Sequence, residues 1–406
     1  MDIIIQKFGG TSVATKELRE TVAKKVIETK NKGKYPIVVV SAIGRNKDPY
    51  ATDTLLEFAR STYYEEESRE LDLLMACGEI ISSVIMANTI KAMGYKGIAL
   101  TGYQAGIITD NHYGDAQVLK VDTHRIYELL KNDYIPVVTG FQGATEVGDI
   151  TTLGRGGSDT TAAILGEAFH AEVVEIYTDV DGVMTADPRL VSEAKVIEEI
   201  GYDEIYQMAE YGAKVVHPKA VMIAKRGNIP LKIKSTLSNE PGTIIFNNER
   251  YTNPYNKNIL EDKILTAIAH KNNIAQVNVY VEDCMEKNEI LMNELTNHHI
   301  SIDLINFFID KKVFTIEEKN LEKIEKILKG NQFDFYIEKN CSKITAVGHK
   351  MRGVPGVMGK IVKALSSHNI KILQTSDSHT TISCLIKDLD TQKAVNALHK
   401  EFHLFE

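Results

Sequence analysis

Short β-branched runs alternate with longer helix-patterned stretches over about the first 245 residues, and this alternation restricts the fold more than any other feature of the chain. Ile3–Lys7, Ile37–Ser41, Lys96–Thr101, Ile135–Thr139, Val173–Thr178 and Leu231–Lys234 read as strands. Ala14–Lys30, Leu71–Gly94, Val121–Asn132 and Ser158–Phe169 read as helices between them. Strand, glycine-rich turn and helix in repeated order predict an α/β fold, a mainly parallel sheet sandwiched by helices. Ligands of such sheets lie beyond the carboxyl ends of the strands. The Gly, Ser and Thr clusters of this sequence fall at those ends.

The pattern changes after Phe246. Residues 1–246 read as one domain, and 247–262, rich in Asn and polar residues, as a linker. An internal repeat follows. Thr266-Ala267-Ile268-Ala269-His270-Lys271 recurs as Thr345-Ala346-Val347-Gly348-His349-Lys350, and Leu295-Thr296-Asn297-His298-His299-Ile300 as Leu365-Ser366-Ser367-His368-Asn369-Ile370. Two copies of one small unit are implied, 263–340 and 341–406, each a ferredoxin-like βαββαβ module. Gly353-Val354-Pro355-Gly356 precedes the helix of the second copy, where the first has Cys284-Met285-Glu286-Lys287. The repeat leaves open which module the strand near Thr266 completes.

A chain of 406 residues exceeds one ordinary domain, in keeping with these divisions. Its formal charge of −8 speaks against a nucleic-acid surface. Cys77, Cys284, Cys341 and Cys384 stand apart, without the paired spacing of a zinc or redox site, and fit a reducing cytoplasm. The start of the chain reads as a strand, not a signal segment, and no uninterrupted apolar run of about 18 residues suggests a membrane span.

The run Ile3-Ile4-Ile5 opens into Lys7-Phe8-Gly9-Gly10-Thr11-Ser12. Glycines there let backbone N–H groups approach phosphate oxygens, Lys7 adds a cation, and the following helix offers its positive end. The spaced Gly-Lys-Ser/Thr ending of a Walker A loop is missing. Gly154-Arg155-Gly156-Gly157-Ser158-Asp159 opens another helix and either holds phosphate oxygens or caps that helix with Ser158 or Asp159. Arg155, taken as buried beside the turn, suits a two-bond grip on a carboxylate. Tyr177-Thr178-Asp179-Val180-Asp181-Gly182, followed by Asp187-Pro188-Arg189, reads as a nucleotide loop or a plain Asp-Gly turn; Met184 and Leu190 rule out a calcium loop. Glu79, in an apolar helix, needs a partner, either an arginine or a substrate ammonium. Lys214 is a candidate phosphate lysine, and His217, before Pro218, a turn histidine. No Ser-His-Asp or Cys-His spacing points to a nucleophile.

Together, Lys7–Val13, Val38–Ser41, Ala76–Glu79, Thr101–Asp110, Thr139–Gly143, Gly154–Asp159, Tyr177–Arg189 and Met208–Pro218 closely resemble the aspartokinases of the amino-acid kinase superfamily, and the repeat resembles their paired ACT domains. The resemblance implies transfer of the γ-phosphoryl group of ATP, with Mg²⁺, to the β-carboxylate of L-aspartate. It implies Lys7, Arg155 and Asp159 as catalytic, Lys7 neutralising the moving phosphoryl group. Ser41, Thr52, Glu79, Phe141, Arg155 and Ser158 would form the aspartate pocket, with Arg155 on the α-carboxylate and Glu79 on the α-ammonium. Gly9, Gly10, Ser12, Thr178, Asp179, Arg189 and Lys214 would hold ATP, with Met184 on the adenine side where many relatives carry tyrosine. No residue is assigned as a resident metal ligand. The resemblance also implies a homodimer or higher oligomer and feedback by diaminopimelate, lysine or threonine. Ile372–Thr381 is closest to the diaminopimelate-sensitive type, or else is a polar strand–turn–strand of the sheet.

Two rivals stand beside this reading. One is a kinase of the same fold acting on glutamate, N-acetylglutamate or a nucleotide. The other is a catalytically silent amino-acid sensor, against which the retention of Lys7, Arg155, Asp159 and Lys214 counts.

Overall fold

The computed structural model describes residues 1–63, 68–213, 215–247, 264–281, 285–348, 351 and 354–406. Two compact units divide them. The first holds Met1–Val183, Val196–Ala209 and the chain on to Phe246; the second holds Met184–Lys195, Glu210–Ala213 and the chain from Ile264.

The first unit runs β1 (Ile3–Phe8), α1 (Lys16–Asn31), β2 (Tyr35–Val40), α2 (Thr52–Arg60), α3 (Arg69–Ala92), β3 (Lys96–Leu100), β4 (Ile107–Thr109), β5 (Val118–Val121), α4 (His124–Lys131), β6 (Tyr134–Thr139), β7 (Gln142–Ala144), β8 (Ile150–Thr152), α5 (Gly157–Ala168), β9 (Val173–Thr178), β10 (Glu199–Gly201), α6 (Tyr202–Glu210), α7 (Pro218–Gly227), β11 (Leu231–Ser235) and β12 (Thr243–Phe246). Its main sheet has the order β10-β12-β11-β9-β1-β2-β6-β3, and only the β11–β12 pair is antiparallel. Both faces are covered, which is why Ile3-Ile4-Ile5 and Val38-Val39-Val40 are continuous apolar runs rather than alternating ones. The chain passes from β1 to β2 on one side and later sets β9 on the other. The carboxyl end of β1 is therefore a topological switch point, the place where such sheets bind ligands.

α3 is long and apolar enough to cross a membrane by length and composition, and half of its apolar stretch is buried in the protein. Met86, Ala87 and Ile90 pack with Val38, Val40, Ile135 and Val137 of the sheet and with Val22 and Val26 of α1. The first turn of α3 carries the fully buried Asp72. Its carboxylate accepts hydrogen bonds from the Thr152 N–H (2.7 Å), the Thr152 hydroxyl (2.8 Å) and the Gly114 N–H. Those bonds tie the small sheet β5-β4-β7-β8 to the helix.

Two helix starts differ from the sequence reading. Val118–Val121 pairs with β4, so the helix expected from Val121 begins at His124. Gly10–Val13 forms a 3₁₀ turn, and Thr15 caps α1 by accepting the Leu18 N–H at 3.3 Å. The positive end of α1 is thereby displaced from the glycines.

The second unit contains β13 (Ala267–Tyr280), α8 (Met285–Asn297), β14 (Asp303–Phe307), β15 (Lys311–Glu317), α9 (Leu321–Gly330), β16 (Asp334–Val347), α10 (Val357–Ser366), β17 (Gln374–Asp377), β18 (Thr381–Lys387) and α11 (Thr391–Glu401). Its sheet order is β14-β15-β13-β16-β18-β17. The repeat is visible in backbone detail. His299 and Asn369 both adopt positive φ, and the Ile300 and Ile370 N–H groups close back on the carbonyls of Leu295 and Leu365. Two of the cores on the sheet separate the modules. Ala275, Val277 and Val279 pack with α8 and α9, whereas Leu265 and Ile268 pack with Ile344, Ile361, Leu365 and Val395. The strand near Thr266 thus completes the second module. A shift in register between Lys271 and Ile274 lets one strand serve both. Ala186 and Val191 also enter the second core, and the Thr185 hydroxyl bonds His399 Nε2 at 2.9 Å.

Candidate active site

Lys7 lies at the carboxyl end of β1, paired in register with Val39 and Ile176. Its ammonium sits 2.7 Å from Asp159 Oδ1, both side chains being 13% exposed. Asp159 occupies the first turn of α5, where the helix dipole favours a carboxylate. Its other oxygen accepts the His217 N–H at 3.2 Å. Gly156 enters α5 with φ 68° and no side-chain cap; the Gly157 N–H turns back to the Gly154 carbonyl at 3.0 Å, and the next N–H groups, of Ser158 and Asp159, have no intrahelical acceptor. A Cβ at Gly156 would lie 2.1 Å from His217 Cγ. His217 is therefore a packing and capping residue of α7, its Nδ1 accepting the Lys219 N–H at 3.3 Å.

Arg155 corrects the sequence reading: it is exposed, not buried. Gly154 and Gly156 both take positive φ, which throws the residue between them to the outside of the turn. It has no hydrogen bond or ion pair to a described residue, so its guanidinium is available to a ligand.

Glu79 is 2% exposed. Its Oε1 accepts the Ala42 N–H at 3.0 Å, and Oε2 has no partner among the described residues. Burial, offset in part by that N–H, pushes its carboxyl up to about 8. No arginine answers it, so the structural pairing considered from sequence is absent among the described residues.

Gly10 comes within backbone contact of the loop after β2. A Cβ there would lie 2.4 Å from the Ala42 carbonyl oxygen and 2.6 Å from that of Gly44. A cleft of about 410 Å³ opens beside it, lined by Ser41, Gly44, Arg45, Asn46, Thr52 and Asp53 among others. A larger groove of about 620 Å³, lined by Lys96, His124, Arg125 and Tyr134, lies at the opposite end of the strands, away from these groups. The Gly10→Ala variant must displace the Ala42–Gly44 backbone. It is expected to lose about 1–3 kcal/mol, read as a lower urea midpoint, and to raise KM for both substrates. Wild-type values for both would contradict the close approach.

Phe141 has φ 70° and donates its N–H to the Thr161 hydroxyl at 3.0 Å, placing the loop after β6 against α5. Ser158 is packed under Gly140, where a Cβ would lie 2.6 Å from the serine hydroxyl. Thr178 ends β9, the neighbour of β1, and Asp179 follows it. Ser12 is buried and its hydroxyl bonds that of Thr236 at 2.6 Å, so its side chain is committed to the fold. Met184 and Arg189 fall in the second unit, where Arg189 is exposed and its guanidinium holds Asp187 at 2.6 Å. Lys214 lies outside the described residues.

Sequence reasoning passed over Arg45. Its guanidinium reaches Asp179 at 2.7 Å, across the mouth of the Gly9–Gly10 turn. A basic residue directly after Gly44 at a strand end was the available signal. Also missed was the polar cluster on the other face of β1 and β9. Glu175 is largely buried there, yet Lys234, Gln6 and Tyr177 together hold its carboxyl below the usual range.

Residues 2–235 match the amino acid kinase family, and residues 336–400 match the ACT domain. The chain belongs to the amino acid kinase family. It is 43% identical over 406 residues to aspartokinase 1 of Bacillus subtilis, covering 100% of both chains. It is 38% identical over 413 residues to an aspartokinase of Geobacillus stearothermophilus, covering 100% of this chain and 98% of that one. Within the family, then, it belongs to the aspartokinases, with a C-terminal ACT region. Its fold is that of E. coli aspartokinase III solved with aspartate and ADP, at TM-score 0.78 and 24% identity over 98% of this chain and 99% of that one. Membership makes the chain a kinase and implies ATP as phosphoryl donor.

Proposed function

We propose that this protein transfers the γ-phosphoryl group of ATP to the β-carboxylate of L-aspartate, giving 4-phospho-L-aspartate, and that an end-product amino acid regulates it through the second unit. The observation that carries the reading is the Lys7–Asp159 pair at the switch point together with two groups open to a ligand: the exposed Arg155, which has no ion pair to a described residue, and the buried Glu79, whose Oε2 has no partner among the described residues. A cation for an α-carboxylate and a carboxylate for an α-ammonium define an amino-acid pocket.

The chemistry asks little proton transfer of the protein. An aspartate side chain, with an ordinary pKa near 3.9, is already ionised at neutral pH. One β-carboxylate oxygen attacks the γ-phosphorus, the bond from that phosphorus to the bridging oxygen breaks, and ADP leaves with the electron pair. The barrier is repulsion between anions, so positioning and fixed positive charge do the catalysis. Lys7 meets charge on the moving group. Asp159 holds the lysine in place, and the Gly9–Gly10 backbone and the open first turn of α5 donate N–H groups. Ser41, Thr52, Phe141 and Ser158 shape the aspartate side, and Thr178, Asp179 and Lys214 the nucleotide side.

Among the described residues no group of three or more His, Cys, Asp or Glu side chains is placed to hold a metal ion. Mg²⁺, which binds phosphate oxygens and keeps several waters, fits as a companion of the nucleotide that lowers its charge.

In the second unit Gln374 donates to the Leu304 carbonyl and to Asn306 Oδ1, and its own oxygen accepts from Gln276 at 2.9 Å. That bridge between β17 and β14 supports Ile372–Thr381 as an effector segment that senses both modules. Exposed Phe307, Phe308 and Ile309 support self-association through this unit. Diaminopimelate is the effector we favour, with lysine or threonine as alternatives. The regions 1–246, 263–340 and 341–406, joined by 247–262, are proposed as kinase domain, two ACT modules and linker. A reducing cytoplasm suits the free Cys77, Cys341 and Cys384.

The test is ATP-dependent acyl phosphate formation from aspartate, trapped as hydroxamate, with each amino acid added in turn. Inhibition by one of them, with sedimentation as a dimer or larger, is the expected result. Activity indifferent to all three would remove the regulation, and folded but inactive protein would remove the reaction.

A further inference from the structure

Beneath the candidate ammonium subsite, three oxygen atoms have no hydrogen-bond partner among the described residues: Glu79 Oε2, Ser82 Oγ and Thr139 Oγ1. Their residues are 2%, 1% and 0% exposed. Buried polar atoms without partners are uncommon, and each calls for a ligand or a water.

The helix and strand that carry the three pack in one core. Ser82 follows Glu79 by three residues, so both project from one face of α3 a turn apart. α3 runs antiparallel to the strands: near its start the Ala76 carbonyl accepts from Gln142, beyond the end of β6, and later its Ala87 carbonyl meets Gly97 at the start of β3. Val137 and Met86 share one core cluster. Two residues further along β6, on the same face and roughly 7 Å on, stands Thr139. Four residues back along α3, about 6 Å on, stands Ser82. Both steps lead toward the carboxyl ends of the strands, so Thr139 comes to lie opposite Ser82 and Glu79. Thr139 also pairs with Val40, two residues before the Ala42 N–H that holds Glu79 Oε1.

We propose that Ser82 and Thr139 are positioning residues for the amino-acid substrate: with Glu79 Oε2 they enclose one buried water, to which both hydroxyls donate and which itself donates to the carboxylate. The water favours the ionised form of Glu79 and points Oε2 at the incoming ammonium. The inference rests on the reading of Glu79 as the ammonium acceptor.

Among the described residues no charged side chain acts on Glu79 in their stead. β2 and β6 carry Tyr35 and Tyr134 as their only titratable groups, at their far ends, and β8 carries none. Lys96 of β3 is also at the far end. Asp53, Glu57 and Arg60 of α2 are exposed, and α1 turns Val22 and Val26 to this cluster. On α3 itself Asp72 is held by Gly114 and Thr152, and the Cys77 thiol donates to the Leu73 carbonyl. Burial and backbone N–H groups are what set the carboxyl otherwise. Ser83, next in sequence and equally buried, donates to the Ile80 carbonyl at 2.9 Å and serves as the internal comparison.

The test is the pH profile of kcat/KM for aspartate. Glu79 must lose its proton to receive an ammonium, so the profile rises through the pKa of Glu79 in the free enzyme. Losing a hydroxyl that holds the water weakens the water's donation to the carboxylate and raises that pKa. Ser82→Ala and Thr139→Val should each move the ascending limb to higher pH by about one unit. Below the limb kcat/KM then falls about tenfold, with kcat at saturating aspartate unchanged. Ser83→Ala should leave the profile where it was. Should Ser82→Ala fail to fold, Ser82→Cys, a weak donor of similar size, gives the same shift. An unmoved limb in the Ser82 and Thr139 variants, or an equal shift in Ser83→Ala, overturns the proposal. Glu79→Gln separates the two levels. An unchanged KM there removes the ammonium reading, whereas a raised KM with unmoved limbs in the hydroxyl variants removes only the water.

Discussion

Lys7→Ala lowers kcat by a factor on the order of 10³ and leaves effector binding intact. Lys7 supplies a cation seated at the carboxyl end of the central strand, and its ammonium is already held at 2.7 Å by Asp159. A fixed cation needs no reorganisation as charge moves during transfer, so its loss falls on kcat more than on KM. Alanine also leaves Asp159 uncompensated in a nearly closed site, which costs stability. The double variant Lys7→Ala, Asp159→Asn should therefore recover thermal stability without recovering activity. Single-turnover hydroxamate formation and calorimetric binding of the effector check both parts. A kcat within tenfold of wild type would remove Lys7 from the chemistry. Loss of effector binding as well would mean that the substitution acts on folding.

Glu79→Gln is expected to make the unliganded protein more stable at alkaline pH while raising KM for aspartate about a hundredfold. The sign follows from the carboxyl. Its ordinary value is 4.5 and burial pushes it to about 8 in the folded chain. Between those values the folded state holds a proton that the unfolded state has released. The favourable contribution of this group is complete below the lower value and is lost as pH rises through the higher one, at roughly 1.4 kcal/mol for each pH unit. Wild type should thus fall in urea midpoint relative to Glu79→Gln between pH 5 and 8, and aspartate should restore it. Parallel midpoints for the two proteins across that range would show that Glu79 titrates normally and has no such burden. The arrangement is a trade: a buried carboxylate without a protein cation is unfavourable until a substrate ammonium arrives.

Several parts of the candidate site were open to reading from the chain. A strand that ends in Lys7-Phe8-Gly9-Gly10 and a glycine turn before Ser158-Asp159 are local signatures, and both occupy carboxyl ends of the sheet. Glu79 stood out because a carboxylate in an apolar helix is anomalous on any fold. Arg155 was misjudged as buried, because two glycines of positive φ at its flanks set its exposure and neither φ is visible in the letters. Ser82 and Thr139 receive no role from the sequence. A serine in a helix and a threonine at a strand end are ordinary, and only their missing partners mark them.

The sequence by itself determined the elements and their faces. Continuous apolar runs became strands buried on both sides, and the two copies of the repeat close their helices with the same positive-φ turn at His299 and Asn369. These outcomes depend on side-chain period and backbone preference over a few residues, which travel with the chain. Tertiary structure alone decided which strand neighbours which, that Lys7 meets Asp159, and that the strand near Thr266 serves the second core. It also drew Thr185, Ala186 and Val191 into the second unit. Burial, pairing and the loss of solvent that raises Glu79 are properties of segments brought together from far along the chain, and no local pattern carries them.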